Sequence, residues 1–119
     1  MKFTIVDALD ANKKYHFLRT LNTEKKFKDK YNTEFNAQLG AILAKLSAVE
    51  KDGDAKAYAE IVSLQFSEVR DKIVDALFAK RSEEGSLYQN DETADECQRL
   101  IETGHIVPND VLIKLLKSI

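Results

Sequence analysis

The spacing of apolar residues predicts helices along most of the chain after about residue 20. From Phe35 to Val49, apolar side chains recur at intervals of three and four, the repeat of an amphipathic helix about 17 residues long. Asp52-Gly53-Asp54 then ends this helix and caps the next. A longer stripe predicts a single helix over 55–81 that is central and buried. Its members are Tyr58, Val62, Phe66, Val69, Ile73 and Leu77.

Shorter patterns predict three further helices. A charged segment from Thr23 to Tyr31 is the first, and Asn32 or Thr33 is expected to cap the helix that follows it. After a loop over 82–90, an acidic helix starts at Asn90 or Asp91, turns Cys97 inward and stops at Gly104. Pro108 begins the last helix, because proline suits the first helical turn.

The N-terminal residues fit two alternatives. Residues 2–8 alternate weakly between apolar and polar, and a second short apolar run spans Tyr15 to Leu18, so two strands joined by a turn would fit. A helix capped by Asp10 would also place Ala11, Tyr15 and Leu18 on one face. We favour the β-hairpin.

These patterns together predict a mainly α fold. The chain has 119 residues, of which 44% are hydrophobic, and it contains one proline and four glycines. That length and composition suit one packed domain over 1–119 with few breaks in its helices. We expect a compact bundle of four to five helices with a short N-terminal β-hairpin.

Charge is unevenly distributed although the net charge is only −2. Residues 12–30 hold seven basic and two acidic side chains, and residues 82–104 hold seven acidic side chains and one arginine. Such a molecule can pair with a second copy of itself or with a charged partner. Aromatic residues lie among the lysines, as in surfaces that stack bases, but their spacing also suits the core. The aromatic residues are Tyr15, Phe17, Phe27 and Tyr31. The balance of charge argues against a nucleic-acid partner.

No pattern of residues predicts catalysis, a cofactor or a metal site. The two histidines, His16 and His105, have no ligand-like spacing to other donors, and zinc sites need several soft ligands. Cys97 is the only cysteine, and at an inward position beside carboxylates it suits a core residue better than a nucleophile. The lone cysteine and the lack of an apolar run of about 20 residues predict a cytoplasmic protein without a membrane span. The sequence therefore predicts a protein that is not an enzyme.

The last helix carries the strongest sign of a partner. Val111, Leu112, Leu115, Leu116 and Ile119 cover one broad face that the core can absorb, and Ile113 lies at its rim. Lysines beside that rim can lay their stems on apolar surface while their charges stay in water. Two alternatives fit: the whole face docks in the domain, or its rim binds another protein. The residues of the predicted partner surface are Ile113, Lys114, Leu116 and Lys117.

The order of elements resembles the tail assembly chaperones of long-tailed siphophages. The likeness covers Met1 to Phe66 and rests on three segments: MKFTIVDAL…KKYHFLRTL, KKFKDKYNTEFNAQLGAIL and EKDGDAKAYAEIVSLQF. The resemblance implies an N-terminal hairpin followed by helices. It also implies binding to the tape-measure protein, recruitment of tail-tube subunits and work in the host bacterial cytoplasm.

The function expected from the sequence is therefore a protein–protein interaction factor, with a phage tail assembly chaperone as its most specific form. Two other functions stay open. One is a small nucleic-acid-binding regulator that uses the basic segment, and the other is an inhibitor that binds and blocks a host protein through the acidic segment 83–102.

Overall fold

The computed structural model describes residues 1–118, and over these residues it has six helices, which hold 62% of the chain, and a four-stranded antiparallel sheet. The mainly α prediction is confirmed, with more helices than the four to five expected. The strands are β1 (Lys2–Val6), β2 (Lys14–Leu18), β3 (Phe78–Arg81) and β4 (Leu87–Tyr88). The helices are α1 (Leu21–Tyr31), α2 (Phe35–Asp52), α3 (Ala55–Val62), α4 (Leu64–Leu77), α5 (Asp91–Glu102) and α6 (Pro108–Lys117).

The N-terminal hairpin is one half of the sheet. β1 and β2 pair antiparallel from Lys2 opposite Leu18 to Val6 opposite Lys14. The chain turns between them with Asp7 N–H donating to Lys13 O at 2.9 Å and Lys13 N–H donating to Asp10 O at 3.0 Å. The strand order is β1-β2-β3-β4, so β2 lies between the N-terminal strand and a strand about 60 residues later in the chain.

The prediction of one continuous helix over 55–81 is wrong in two places. It breaks first at Ser63, whose backbone is extended (φ −64°, ψ 153°) and separates α3 from α4. Ser63 Oγ donates to Glu60 O at 2.7 Å, and Ser63 O accepts the first backbone hydrogen bond of α4, from Ser67 N–H. Serine offers the backbone such alternatives to a continuous helix, which accounts for the break.

The second difference lies at the other end of the same segment. The predicted helix runs on past Leu77 to residue 81, but Phe78 is extended (φ −63°, ψ 133°) and begins β3. Pairing of Phe78 with Phe17 and of Ala79 with His16 in β2 overrides the local helical pattern. The expected loop over 82–90 also contains β4, which pairs with β3 around the turn at Gly85.

Local signals at other helix ends are confirmed with one exception. The side chains of Asp54 and Asn90 cap α3 and α5, Pro108 begins α6, and Gly53 ends α2. Asn32 is instead the left-handed residue (φ 53°) that ends α1, and α2 begins after Glu34 without a side-chain cap.

The core lies between the helices and one face of the sheet. It includes the apolar face of α2, the C-terminal half of α4, the inner face of α6, and Phe17 and Phe78 of the sheet. Cys97 of α5 is fully buried, as its inward position predicts. Ile73 and Leu77 from the predicted stripe are also fully buried, but Tyr58 and Val62 are not. None of the helices in the described residues is long and apolar enough to cross a membrane.

Candidate functional site

The break at Ser63 leaves an apolar surface where α3 meets α4. Tyr58, Val62 and Leu64 have exposed fractions of 53%, 46% and 76%, respectively. We call these three residues the junction surface. The first two were expected in the core, so the sequence pattern located the apolar residues but assigned them to the wrong side of the helix.

Regular elements hold the junction surface in place. The adjoining face of α3 is anchored by Ala57 and by Ile61, which is fully buried, and α3 packs against both α2 and α4. Lys45 of α2 pairs with Glu60 of α3, and its Nζ lies 5.1 Å from the centroid of the Phe66 ring in α4. Surfaces built on packed helices are held more firmly than surfaces on loops.

The size of the junction surface is unusual for three side chains on a small monomer. Their exposed area is on the order of 300 Å², the lower end of the largest apolar patches on monomeric proteins, and such patches often carry function. A single exposed leucine needs no explanation, but here three large apolar side chains are exposed within seven residues of the chain.

The C-terminal helix divides its side chains differently from the sequence prediction. Val111, Leu112 and Leu115 are fully buried, because α6 packs against α2, α4 and β1. Ile113 is half-buried at the rim, as expected. Leu116 is half-buried, although it was expected to be buried, and Lys114 and Lys117 are exposed. Ile119 lies outside the described residues.

The four predicted partner residues thus share the outer side of one helix. Ile113 and Leu116 both pack against the core, and Lys117 Nζ lies 3.8 Å from Glu50 Oε1 on α2. This rim stays a predicted partner surface, but it offers less exposed apolar side chain than the junction surface does.

The basic segment is drawn partly into the fold. Phe17 and Phe27 are buried, so of its four aromatic residues only Tyr15 and Tyr31 keep partial exposure. Arg19 pairs with Glu24 at 3.3 Å, and Lys28 Nζ lies 2.5 Å from Glu34 Oε1. The burial of two rings agrees with the core interpretation of their spacing and leaves little of the segment for base stacking.

A partly buried hydrogen-bond cluster around Asp7, which the sequence did not predict, ties the hairpin to the α5–α6 loop. Asp7 Oδ2 accepts from Tyr15 OH at 2.5 Å and lies 2.9 Å from His105 Nδ1, while Oδ1 accepts from the backbone N–H of Leu9 and Asp10. The hydrogen bond from Tyr15 is the main cause that lowers the pKa of Asp7 to about 2. Burial, with the bond to Asp7, raises the pKa of Tyr15 to about 12. Both carboxylate oxygens are taken by donors, as in a structural cluster.

Cys97 lies where its thiol is unreactive. Burial, and then the nearby Asp75 carboxyl, raises the pKa of the Cys97 thiol, which disfavours the thiolate that a nucleophile needs. Within residues 1–118, no group of three or more histidine, cysteine, aspartate or glutamate side chains is placed to hold a metal ion.

None of the family models, curated proteins or solved structures compared with the chain matches it. These comparisons therefore assign the chain to no family and indicate no function for it.

Proposed function

We propose that the chain is a non-enzymatic protein-binding factor whose junction surface receives an amphipathic helix of another protein. The observation that carries the proposal is the exposure of Tyr58, Val62 and Leu64 on firmly packed helices. Removal of exposed apolar surface of this kind from water is favourable, so its burial stabilises a complex with a partner.

The geometry of the junction surface favours a helical partner. Tyr58 and Val62 are one turn apart on α3 and form a ridge, which can pack into the groove between side-chain rows of another helix. A partner strand would need free backbone groups at a sheet edge, whereas the backbone of α3 is hydrogen-bonded within the helix. The occupant we propose is therefore the apolar face of a helix.

The size of the surface favours a contact that forms and releases. A stable interface buries about 800 Å² on each partner, and the junction surface supplies less than half of that in apolar side chains. A helper protein that shields a client and then leaves needs such limited affinity.

The most specific form of the proposal is a siphophage tail assembly chaperone, with the tape-measure protein as the client and tail-tube subunits recruited to it. The resemblance over residues 1–66 supports this form, and the junction surface falls within that stretch. The hairpin that the resemblance implies is present in the fold.

Co-expression with the tape-measure protein encoded in the same genome tests the proposal. The matched variants are Leu64→Asp, which removes an exposed apolar side chain, and Gln65→Asp, which adds the same charge one residue later. Both positions lie in the first turn of α4, where an acidic residue is tolerated by the helix dipole. We expect a soluble complex that Leu64→Asp weakens at least tenfold and Gln65→Asp largely preserves, with unfolding free energies within about 1 kcal/mol of wild type.

Three other outcomes have definite meanings. A chain that forms no complex with the tape-measure protein would refute the chaperone form. A complex that Leu64→Asp leaves intact would refute the junction surface as the binding site. Self-association that is lost in Leu64→Asp, measured by sedimentation, would identify a second copy of the chain as the occupant.

A further inference from the structure

A cavity of about 470 Å³ lies away from the junction surface, between α1, the C-terminal end of α4 and the start of α5. Its volume is within the range of pockets that hold small ligands. The residues that matter for its chemistry are Phe27, Tyr31, Asp75, Ala76, Gln89 and Ala94.

Asp75 is the unusual residue of this cavity. Only 8% of its surface is exposed, and its buried Oδ1 has no hydrogen-bond partner. Buried carboxyl groups are normally paired or hydrogen-bonded, because an unpaired one costs free energy. Burial accordingly raises the pKa of Asp75 to about 7.

The other polar groups around Asp75 are already engaged. Gln89 Nε2 donates to the backbone oxygens of Leu18, Ala76 and Leu77 at 2.7, 3.1 and 2.9 Å. Gln89 Oε1 accepts from Thr23 Oγ1 at 2.7 Å. These bonds fix the wall of the cavity and leave the Asp75 carboxyl, which lines it, as the acceptor for a molecule that enters.

The walls of the cavity suit a cation. Phe27 and Tyr31 lie with their ring centroids 4.8 Å apart, and aromatic faces attract positive charge. Lys30 Nζ and Lys72 Nζ already lie 5.4 and 5.1 Å from the centroid of the Tyr31 ring, so a guanidinium that stacks on this ring would take the place of Lys30, which also lines the cavity. At the rim, Lys30 lies 3.7 Å from Asp91, and Lys26 Nζ donates to Gln89 O at 3.2 Å.

We propose that this cavity binds a guanidinium group on an apolar stem, with its N–H groups donating to Asp75 and its plane against the aromatic wall. A guanidinium is planar, stacks on rings and matches a carboxylate, and its stem would contact Phe27, Ala76 and Ala94. A Ca²⁺ or Mg²⁺ ion needs several oxygen ligands around one point, and no group of three or more acidic, histidine or cysteine side chains within residues 1–118 is placed to supply them. The guanidinium can belong to an arginine side chain of a polypeptide or to a free small molecule, and this site is independent of the junction surface.

Calorimetric titration at pH 8 with three probes tests the proposal. The probes are acetyl-arginine amide, agmatine as a free small cation, and acetyl-citrulline amide, which keeps the shape of arginine but is neutral. We expect one or both cations to bind and citrulline to bind at least tenfold more weakly. Tighter binding of the arginine amide would indicate a polypeptide source, and tighter binding of agmatine a small molecule.

Two variants test whether binding depends on the carboxyl group of Asp75. Asp75→Asn is expected to abolish binding, whereas Glu84→Gln, at an exposed carboxylate in the turn between β3 and β4 and outside the cavity, is expected to preserve it. No binding at millimolar probe, equal binding of citrulline, or unchanged binding to Asp75→Asn would each overturn the proposal.

The pH dependence of binding to the wild-type protein gives a second test. Binding is expected to weaken below about pH 7 as Asp75 becomes protonated, and agmatine is expected to lower the pKa of Asp75 followed by carboxyl-carbon NMR. The charged or titratable groups that face Asp75 are Lys30 on α1, Asp71 on its own helix, and Asp95 and Cys97 on α5. An Asp75 pKa that does not move in saturating agmatine would contradict the assignment.

Discussion

Replacing Asp75 by asparagine is expected to stabilise the fold at neutral and alkaline pH. The change keeps the shape of the side chain and removes a buried charge whose Oδ1 has no hydrogen-bond partner. Because the folded protein holds this proton up to about pH 7 and the unfolded chain releases it near its ordinary pKa of 3.8, the folded state binds more protons between these values. Stability of the wild type therefore falls as pH rises from about 4 to 7.

The size of this effect follows from the same pKa. Raising the pKa of a carboxyl from 3.8 to about 7 corresponds to an ionisation cost of at most about 4 kcal/mol. Water that enters the cavity screens the charge, so we expect Asp75→Asn to gain about 2 kcal/mol at pH 8. For a domain of this size that gain is a rise in Tm of roughly 6–10 °C.

Urea denaturation of wild type, Asp75→Asn and Asp29→Asn at pH 4, 6 and 8 measures the effect. The advantage of Asp75→Asn is expected to be small at pH 4, to grow up to about pH 7 and then to level off, while Asp29→Asn stays within about 0.5 kcal/mol of wild type. A gain that is equal at pH 4 and pH 8, or no gain at pH 8, would refute the burial of a carboxyl that destabilises the fold when it is charged. A confirmed gain would mean that the natural residue is kept at a cost to stability, as functional residues often are.

Three further predictions concern other parts of the fold. Asp7→Asn is expected to lower Tm at pH 7. The difference in Tm from wild type should narrow as pH falls from about 4 towards 2, because the lowered pKa of Asp7 means that the stabilisation by its carboxylate is lost in that window. Thermal unfolding across this pH range checks the prediction, and a difference in Tm that does not depend on pH would contradict it. Cys97 is expected to react with a thiol reagent only after denaturation, and rapid labelling of the native protein would show that it is not buried. Ile113→Asp is expected to cost about 1 kcal/mol and Leu112→Asp several, because only the second buries an unpaired charge; equal losses in thermal unfolding would mean that both are core residues.

Short-range signals in the sequence predicted the helix ends well. Asp54, Asn90 and Pro108 act on backbone groups within one turn, so the residues themselves contain the information. Ser63 carried a similar signal, since serine is a good N-cap, but the uninterrupted apolar repeat on both sides of it favoured one long helix.

Features that depend on distant parts of the chain were not predictable in the same way. β3 exists because Phe78 and Ala79 pair with β2, about 60 residues earlier, and no local signal separates them from the helix before them. The Asp7 cluster needs His105 from the far end of the chain, and Asp75 is buried only because α1 and α5 cover it. Polar residues of this kind look like ordinary surface positions until the fold brings their neighbours together.

The most direct test of protein binding at the junction surface is photo-crosslinking in the cells that make the protein. A photo-reactive amino acid replaces Leu64 in one variant and the exposed Glu84, in the turn between β3 and β4, in a control. We expect position 64 to give a discrete adduct with one other protein, identified by mass spectrometry, and position 84 to give none. An absence of adducts at position 64, or the same adducts at both positions, would contradict the proposal that this surface binds a partner.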